Sequence, residues 1–319
     1  MRALPDTGRH GAAGCPSERV SDRHRNRKAN AGIPGMNNPS SDVRSAVDYY
    51  GRFGFLFDEM SDRSGFMNLG FRRKGESVRT VAEAQSGLVR LVAEAGGLLP
   101  GMRVLDIGCG FLGPAEVLSS HFGCRMVGVD PGPVQRNAWH NPRGRRNVIP
   151  AAGEALRLPF RGRAFDRVIS IESAFHYADK PGFLCEAARV LKPQGRLAVA
   201  DILCRPSRRS SGPIERRFGE ALAAPTFFDV QKYRRAAKRA GMKLVRFDDL
   251  SDGVARTLPL WTRAVFGRWR TLRLLHGRRT LLKIALALAV VPALARFLPF
   301  RYGLLVFECT VLHPSESKP

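Results

Sequence analysis

The sequence has few acidic side chains: 28 Asp and Glu stand against 52 Lys and Arg in 319 residues, a formal net charge of +24. Its six cysteines include no C-x-x-C pair, which argues against a thiolate metal site or a dithiol redox site. We expect them to be reduced thiols of a cytoplasmic protein. Residues 1–40 lack the apolar run of a secretory signal. With 44% hydrophobic residues, the composition is that of a globular protein.

A long hydrophobic run is also missing. The most apolar stretch, 281–298, is interrupted by Lys283, Pro292 and Arg296, and only 12 uncharged residues lie between the two basic ones. A transmembrane helix needs about 20 predominantly apolar residues. The sequence therefore predicts no transmembrane helix and favours a buried or interfacial helix in this stretch.

The positive charge has two interpretations. A pI of about 11.0 is typical of proteins that bind nucleic acid or anionic membranes. An arginine-rich proteome would produce the same value, and 43 of the basic residues are arginine. The excess is concentrated in 251–303, where ten basic residues and one acid are interleaved with Trp and Leu. This pattern suits an anionic membrane surface, an acidic ligand, nucleic acid or a solvated helical cap.

The spacing of apolar residues predicts an α/β fold. Short apolar strands are expected at 103–107, 125–129, 148–151, 164–171, 196–202, 243–250 and 304–312. Helices are expected between them at 114–122, 182–191 and 230–240. This alternation predicts a Rossmann-like, doubly wound and mostly parallel sheet with helices on both faces.

The same reading divides the chain into five parts. A disordered basic tail, 1–40, precedes a helical segment, 41–100; an alternative is that translation begins at Met36 and the tail is a gene-model extension. The α/β core occupies 101–250, and a basic amphipathic helical insertion occupies 251–303. The last strand and a short tail occupy 304–319.

A glycine-rich turn follows the first predicted strand. Residues 104–113 read V-L-D-I-G-C-G-F-L-G, so Asp106 stands two residues before the first glycine. Glycines let a ligand approach the backbone closely, and the N–H groups of the next helix can face it. A G-x-G-x-x-G pattern alone fits a dinucleotide site equally well.

Four further segments follow in order. Asp130 ends the second strand, G-E-A at 153–155 precedes L-P-F at 158–160, F-D-R-V spans 165–168, and L-K-P-Q-G spans 191–195. With the glycine turn, they resemble the class I S-adenosylmethionine (SAM)-dependent methyltransferases, over about residues 43–312. The likeness is greatest to small-molecule enzymes of the natural-product and quinone type. It implies a seven-stranded sheet with an antiparallel last strand and an N-terminal helical lid, whereas nothing resembles a hydride-transfer site.

The resemblance also implies a SAM site. The carboxylate of Asp130 would accept the ribose hydroxyls, and Glu154 would accept the adenine amino group. No metal is expected. The implied cofactor-binding residues are Asp106, Gly108, Cys109, Gly110, Asp130, Pro131, Gly153, Glu154, Ala155 and Glu172.

The loop after the fourth strand supplies a candidate base. Residues 172–179 read E-S-A-F-H-Y-A-D, similar to the family's E-S-x-x-H-x-x-D, with Phe175 where some members have a second histidine. An imidazole is suited to take a hydroxyl proton, so His176 is the predicted general base. Asp201, at the end of the fifth strand, is expected to face the substrate or orient the base; a turn cap is the alternative. Tyr49 and the loop at Asn68 would belong to the lid.

The sequence therefore predicts a SAM-dependent methyltransferase that acts on a hydrophobic small molecule, at oxygen, in the cytoplasm. The apolar residues of the insertion would wall the substrate pocket. One alternative is a peripheral enzyme on an anionic membrane that methylates a quinone, sterol-like or polar lipid at carbon, nitrogen or oxygen. A nucleic-acid substrate is disfavoured, because the loop at 171–177 has no N-P-P-Y-like tetrapeptide.

Overall fold

The computed structural model describes residues 41–132, 147–205, 212–282, 284–286 and 299–310. The tail at 1–40, with Met36, lies outside this range. So do most of the apolar stretch at 281–298 and the residues from 311 onward.

Seven strands form one sheet in the order β3-β2-β1-β4-β5-β7-β6. Strand β7 is antiparallel to both of its neighbours, and the other pairs are parallel, so the predicted fold class is confirmed. Strand β7 begins at Phe300, four residues before its predicted start. The strands are β1 Arg103–Ile107, β2 Arg125–Asp130, β3 Val148–Ala152, β4 Phe165–Ile171, β5 Leu191–Cys204, β6 Met242–Asp249 and β7 Phe300–Cys309.

Local signals fix several helix ends. Thr80, Asp179 and Asp229 cap helices by accepting a hydrogen bond from a backbone N–H three residues later. Helix α5 is not among the helices that the sequence predicted. The helices are α1 Ser41–Met60, α2 Val81–Gly96, α3 Gly113–Phe122, α4 Lys180–Val190, α5 Pro213–Ala221, α6 Val230–Arg239, α7 Ser251–Ala255, α8 Leu258–Gly267 and α9 Trp269–His276.

The sheet is buried on both faces because side chains alternate along its strands. Leu105 belongs to one core cluster, with residues of α4 and α6, and its neighbour Val104 belongs to the other, with residues of α2 and α3. Both side chains are fully buried. Helices on both faces leave the carboxyl ends of the parallel strands as the open edge where a site can form.

The insertion between β6 and β7 packs on the N-terminal helices. Trp261 of α8 and Leu272 of α9 share a core cluster with Leu56 of α1 and Val81 of α2. The Trp261 Nε1–H also donates to the carbonyl oxygen of Leu69, at 2.9 Å. No helix within the described residues has the length and apolar character needed to cross a bilayer.

The cysteines are not all as expected. Cys109, Cys124, Cys204 and Cys309 are free thiols. Cys185 is disulfide-bonded, so the prediction of reduced thiols is wrong there. Burial raises the pKa of the Cys124 and Cys204 thiols, which disfavours their reactive thiolate forms.

Candidate active site

A cavity lies at the carboxyl ends of β1, β2 and β4. Its roof comes from the N-terminal segment, where Val43, Val47 and Tyr50 of α1 line it together with Met67 and Asn68. Ten of the twelve residues singled out from the sequence line it, while Asp106 and Asp201 do not. The ten are Gly108, Cys109, Gly110, Asp130, Pro131, Gly153, Glu154, Ala155, Glu172 and His176.

The glycine turn forms the cavity floor. Gly108 has φ of +77°, and a Cβ there would lie 2.4 Å from the Cβ of Ser173. Ser173 cannot easily move, since its hydroxyl donates to the carbonyl oxygen of Ile107 at 2.8 Å. Only glycine combines this backbone conformation with this close contact.

Asp130 is held at the end of β2 by backbone N–H groups. Its Oδ2 accepts from Gly110 at 3.2 Å, and its Oδ1 accepts from Gly132 at 2.7 Å. Nearby Asp106 is buried, and its Oδ2 has no hydrogen-bond partner in the described part of the chain. Burial, and then the charge of Asp130, raise the pKa of Asp106 to about 7.

Glu172 connects three parts of the chain. Its Oε1 accepts from the Leu69 N–H at 2.7 Å and from the Tyr302 hydroxyl at 2.9 Å. The loop after β4 is thereby joined to the N-terminal segment and to β7. Burial raises the pKa of Glu172 to about 7, although the two hydrogen bonds favour its charged form.

Asn68 presents an unpaired amide at the cavity. The residue is 3% exposed, and neither Nδ2 nor Oδ1 has a hydrogen-bond partner among the described residues. Its own carbonyl oxygen accepts from Gln85 Nε2 at 2.6 Å, which fixes the loop. Since an unsatisfied buried polar group costs about 1–3 kcal/mol, a polar ligand in the cavity would relieve this cost.

His176 lies in the cavity wall with both ring nitrogens in contact. Nδ1 is 3.0 Å from the carbonyl oxygen of Ala223, and Nε2 is 3.1 Å from the hydroxyl oxygen of Tyr50. Because a carbonyl can only accept, Nδ1 must carry the hydrogen in the neutral ring. Nε2 is then the acceptor, and the Tyr50 hydroxyl donates to it.

Burial keeps this imidazole neutral. The pKa of His176 is lowered to about 4, and burial is the largest cause. The hydrogen bond to Ala223 opposes this shift, and the positive charge of Lys180 adds to it. The proton-accepting form therefore predominates at neutral pH. A neutral His176 whose Nε2 accepts from a hydroxyl can take a proton when that hydroxyl receives one from a ligand.

Asp201 does not line the cavity. It is fully buried in β5, its Oδ1 accepts from the Ile202 N–H at 2.8 Å, and its carboxyl group is also hydrogen-bonded by the backbone of Phe175, the neighbour of His176. Its role in orienting the base stays a prediction. Burial raises its pKa well above the usual range, and the charge of Lys180 opposes this. The Lys180 Nζ donates to the carbonyl oxygens of Tyr177 and Thr226, at 3.0 and 2.7 Å. The charge of Asp201 therefore favours the charged form of Lys180, whose two hydrogen bonds hold the loop that follows His176.

A second cleft is lined by Tyr49 and Ala223, which do not line the first cavity. Charged side chains of both signs line it, among them Arg52, Arg216 and Glu220. None of the described residues of the insertion lines this cleft or the cavity. The expectation that the insertion walls the pocket is therefore wrong for those residues, because their buried apolar side chains pack against α1 and α2.

Comparison with known proteins adds to this geometry. Residues 105–199 match a family model described as a methyltransferase domain. The erythromycin 3''-O-methyltransferase of Saccharopolyspora erythraea is 32% identical over 241 residues, which cover 70% of this chain and 76% of that protein. The chain belongs to the SAM-dependent methyltransferases. Methyltransferase GfsG of Streptomyces halstedii is 29% identical over 224 residues, 68% of this chain and 79% of that protein.

A solved structure agrees on the fold. The methyltransferase superimposes on the cyclopropane synthase MmaA2 from Mycobacterium tuberculosis with a TM-score of 0.69 and 19% identity, over 84% of this chain and 97% of that one. The cofactor of this methyltransferase is SAM. The cavity fits it, because the Gly108 turn admits a ligand to the backbone and the unpaired amide of Asn68 faces the space.

The sequence did not single out Tyr50 as part of the site. It selected Tyr49 for the lid, whereas Tyr50 contacts His176 Nε2 in the methyltransferase. A signal was present, since Val43, Val47 and Tyr50 follow the i, i+4, i+7 spacing of one helical face. The unpaired amide of Asn68 and the buried Lys180 had no comparable signal.

Without SAM, Glu172 should make stability depend on pH. Its folded pKa of about 7 exceeds the usual 4.5, so its favourable contribution is complete below pH 4.5 and is lost as pH rises through 7. Glu172→Gln keeps the acceptor oxygen and removes the charge. We expect its free energy of unfolding, relative to wild type, to increase by up to about 3 kcal/mol between pH 4.5 and pH 8. Urea unfolding at several pH values measures this difference.

The matched control is Glu94→Gln on the exposed side of α2. It should follow the wild-type curve at every pH. If the difference in the free energy of unfolding between Glu172→Gln and wild type does not change with pH, Glu172 is already ionised at pH 5 in the folded protein.

Proposed function

We propose that this methyltransferase methylates a hydroxyl oxygen of a hydrophobic small molecule, with His176 as the general base acting through Tyr50. The observation that carries the proposal is the 3.1 Å contact between His176 Nε2 and the Tyr50 hydroxyl at the cavity wall. The 32% identity to an erythromycin O-methyltransferase supports oxygen as the acceptor atom.

In this proposal, the predicted cofactor residues hold SAM. The carboxylate of Asp130 binds the ribose hydroxyls, and the carboxylate of Glu154 binds the adenine amino group. Gly108, Cys109 and Gly110 let the cofactor lie against the turn. Pro131, Gly153 and Ala155 complete the wall of the cavity, and Glu172 holds the roof loop in place through Leu69.

The proton follows a short route. When bound, SAM supplies an electrophilic methyl group on a sulfonium. The acceptor hydroxyl gives its proton to the Tyr50 hydroxyl oxygen as Tyr50 passes its own proton to His176 Nε2, so one proton leaves the acceptor and one arrives on the imidazole. The carbonyl oxygen of Ala223 accepts from Nδ1–H throughout and stabilises the charged ring.

The lining of the roof supports an apolar acceptor. Val43, Ala46 and Val47 of α1 face the same cavity as Tyr50. Apolar side chains next to one hydrogen-bonding pair are typical of sites that bind a hydrophobic molecule and orient one polar group.

Transfer of a labelled methyl group tests the function. The purified enzyme and SAM with a labelled methyl carbon are incubated separately with a host organic extract, host membranes and total RNA. We expect label in an organic-soluble compound, and alkaline-stable ether linkage of the label would identify oxygen methylation. Label recovered in RNA, or in none of the fractions, would contradict the proposal. Enzyme inactivated by heat provides the background in each fraction.

A lipid acceptor is the second candidate. The observation that favours it is a group of exposed large apolar side chains in the insertion, among them Leu274 and Leu286. Label that remains with the membrane lipids in the same assay would select this candidate over a soluble metabolite.

A further inference from the structure

The insertion carries an exposed surface in which arginine and large apolar side chains alternate. Leu274 is 83% exposed and Leu286 is 65% exposed, and both lie in the same segment as exposed arginines. We call this surface the arginine–leucine face. It consists of Arg263, Phe266, Arg270, Arg273, Leu274, Arg278, Arg279, Leu282 and Leu286.

Helical spacing produces this face. In α9, Arg270, Arg273 and Leu274 follow an i, i+3, i+4 pattern and are all exposed, whereas Leu272 is fully buried. Leu272 belongs to the core cluster that packs on α1 and α2. The arginine–leucine face is therefore the outward side of the insertion, opposite the side that holds the N-terminal helices.

The charges on this face are uncompensated. Arg268, beside it, forms an ion pair with Asp62. By contrast, the five arginines of the face form no ion pair with any of the described residues. Asp252 is the one acidic residue in 251–303. A surface with several guanidinium groups outside ion pairs attracts anions.

We propose that the arginine–leucine face docks the enzyme on the surface of an anionic lipid bilayer. Guanidinium groups bind lipid phosphates through paired hydrogen bonds, and exposed leucines enter the boundary between headgroups and acyl chains. Both requirements are met on α8, on α9 and among the described residues between 278 and 286.

The apolar side chains favour lipid over nucleic acid. Single-stranded nucleic acid binds by stacking its bases on open aromatic rings. Here Phe266 is the one aromatic residue among the nine of the arginine–leucine face, and its ring already lies beside that of Trp269, with ring centroids 5.8 Å apart and planes at 15°. The most exposed apolar groups are leucines, which enter lipid but provide no stacking surface.

Co-sedimentation with vesicles tests the proposal without SAM or an acceptor, so the result is independent of the proposed function. Vesicles of phosphatidylcholine alone are compared with vesicles that also contain phosphatidylglycerol. Each arginine near an anionic surface contributes roughly fivefold to binding. We therefore expect Arg270→Glu with Arg273→Glu to weaken binding to the anionic vesicles at least about 25-fold. Leu274→Ser should weaken it roughly tenfold, because one buried leucine is lost.

The matched control is the same double charge reversal on α6, Arg234→Glu with Arg235→Glu, which are also exposed. This control has the same net charge as the Arg270 and Arg273 variant. At a salt concentration that screens long-range attraction, its binding to the anionic vesicles should differ from that of wild type by less than about threefold. Equal losses in the two double variants would overturn the proposal in favour of a diffuse charge effect. Absence of binding to anionic vesicles, or RNA binding that is lost only in the Arg270 and Arg273 variant, would also overturn it. Circular dichroism melting confirms that each variant is folded.

Discussion

His176→Asn should lower kcat by about 10²–10⁴-fold, while the Kd for SAM stays within about threefold of wild type. The reason is that asparagine can still donate to the carbonyl oxygen of Ala223 but offers no basic nitrogen to the Tyr50 hydroxyl. The change removes the proton acceptor and leaves the glycine turn and Asp130 intact. Single-turnover kinetics with the identified acceptor and calorimetric titration with SAM separate the two effects.

Two tyrosine variants sharpen this test. Tyr50→Phe keeps the ring in the roof and removes the hydroxyl that donates to Nε2, so we expect a loss of kcat of the same order as for His176→Asn. Tyr49→Phe is the control, since the Tyr49 ring lies 6.2 Å from the imidazole without a hydrogen bond to it. A Tyr50→Phe enzyme with wild-type kcat would remove Tyr50 from the proton route, and a fully active His176→Asn enzyme would reject the base itself.

Gly108→Ala should weaken SAM binding by about 100-fold or more and lower the free energy of unfolding by about 2–4 kcal/mol. The new Cβ would lie 2.4 Å from the Cβ of Ser173 and 2.6 Å from its hydroxyl oxygen, at a backbone angle that alanine rarely adopts. Relief of this overlap requires the turn to move, and the turn is the floor of the cofactor cavity. Calorimetric titration and urea unfolding measure the two losses.

Gly75→Ala is the matched control for this change. Gly75 has φ of +82°, close to that of Gly108, but a Cβ there would meet nothing within 4 Å. We expect it to cost about 1 kcal/mol of stability from backbone strain alone and to leave SAM binding unchanged. If Gly108→Ala binds SAM as tightly as Gly75→Ala does, the Gly108 turn is not the cofactor floor.

The parts of the site that could be predicted from sequence are those encoded by local spacing. Gly108 follows a short apolar strand, and a strand, a glycine turn and a helix in that order place backbone N–H groups at one point. The place of Asp130 follows from the strand pattern, because the carboxyl ends of adjacent parallel strands meet at one edge. Its role toward a cofactor and the antiparallel β7 came from the family resemblance, and the strand order was not predicted.

The remaining features depend on packing between distant segments. Which tyrosine reaches His176 is decided by the rotation of α1 about its axis, and Tyr49 and Tyr50 are both apolar enough to face inward. The charge of Lys180, which lies 21 positions earlier in the chain, acts on the buried Asp201 only in the folded protein. The sequence of the insertion is amphipathic. Its apolar side could have faced either a pocket or another helix, and periodicity does not distinguish these two arrangements.

The backbone of Leu69 has a mechanical consequence. Its N–H donates to Glu172 in the loop after β4, and its carbonyl oxygen accepts from Thr257 and Trp261 of the insertion. These two groups belong to adjacent planar peptide units that share the Leu69 Cα, so hydrogen bonds on both sides restrain the φ and ψ of this one residue. A displacement of the insertion is therefore passed through a single residue to the loop that carries Glu172 at the cavity wall.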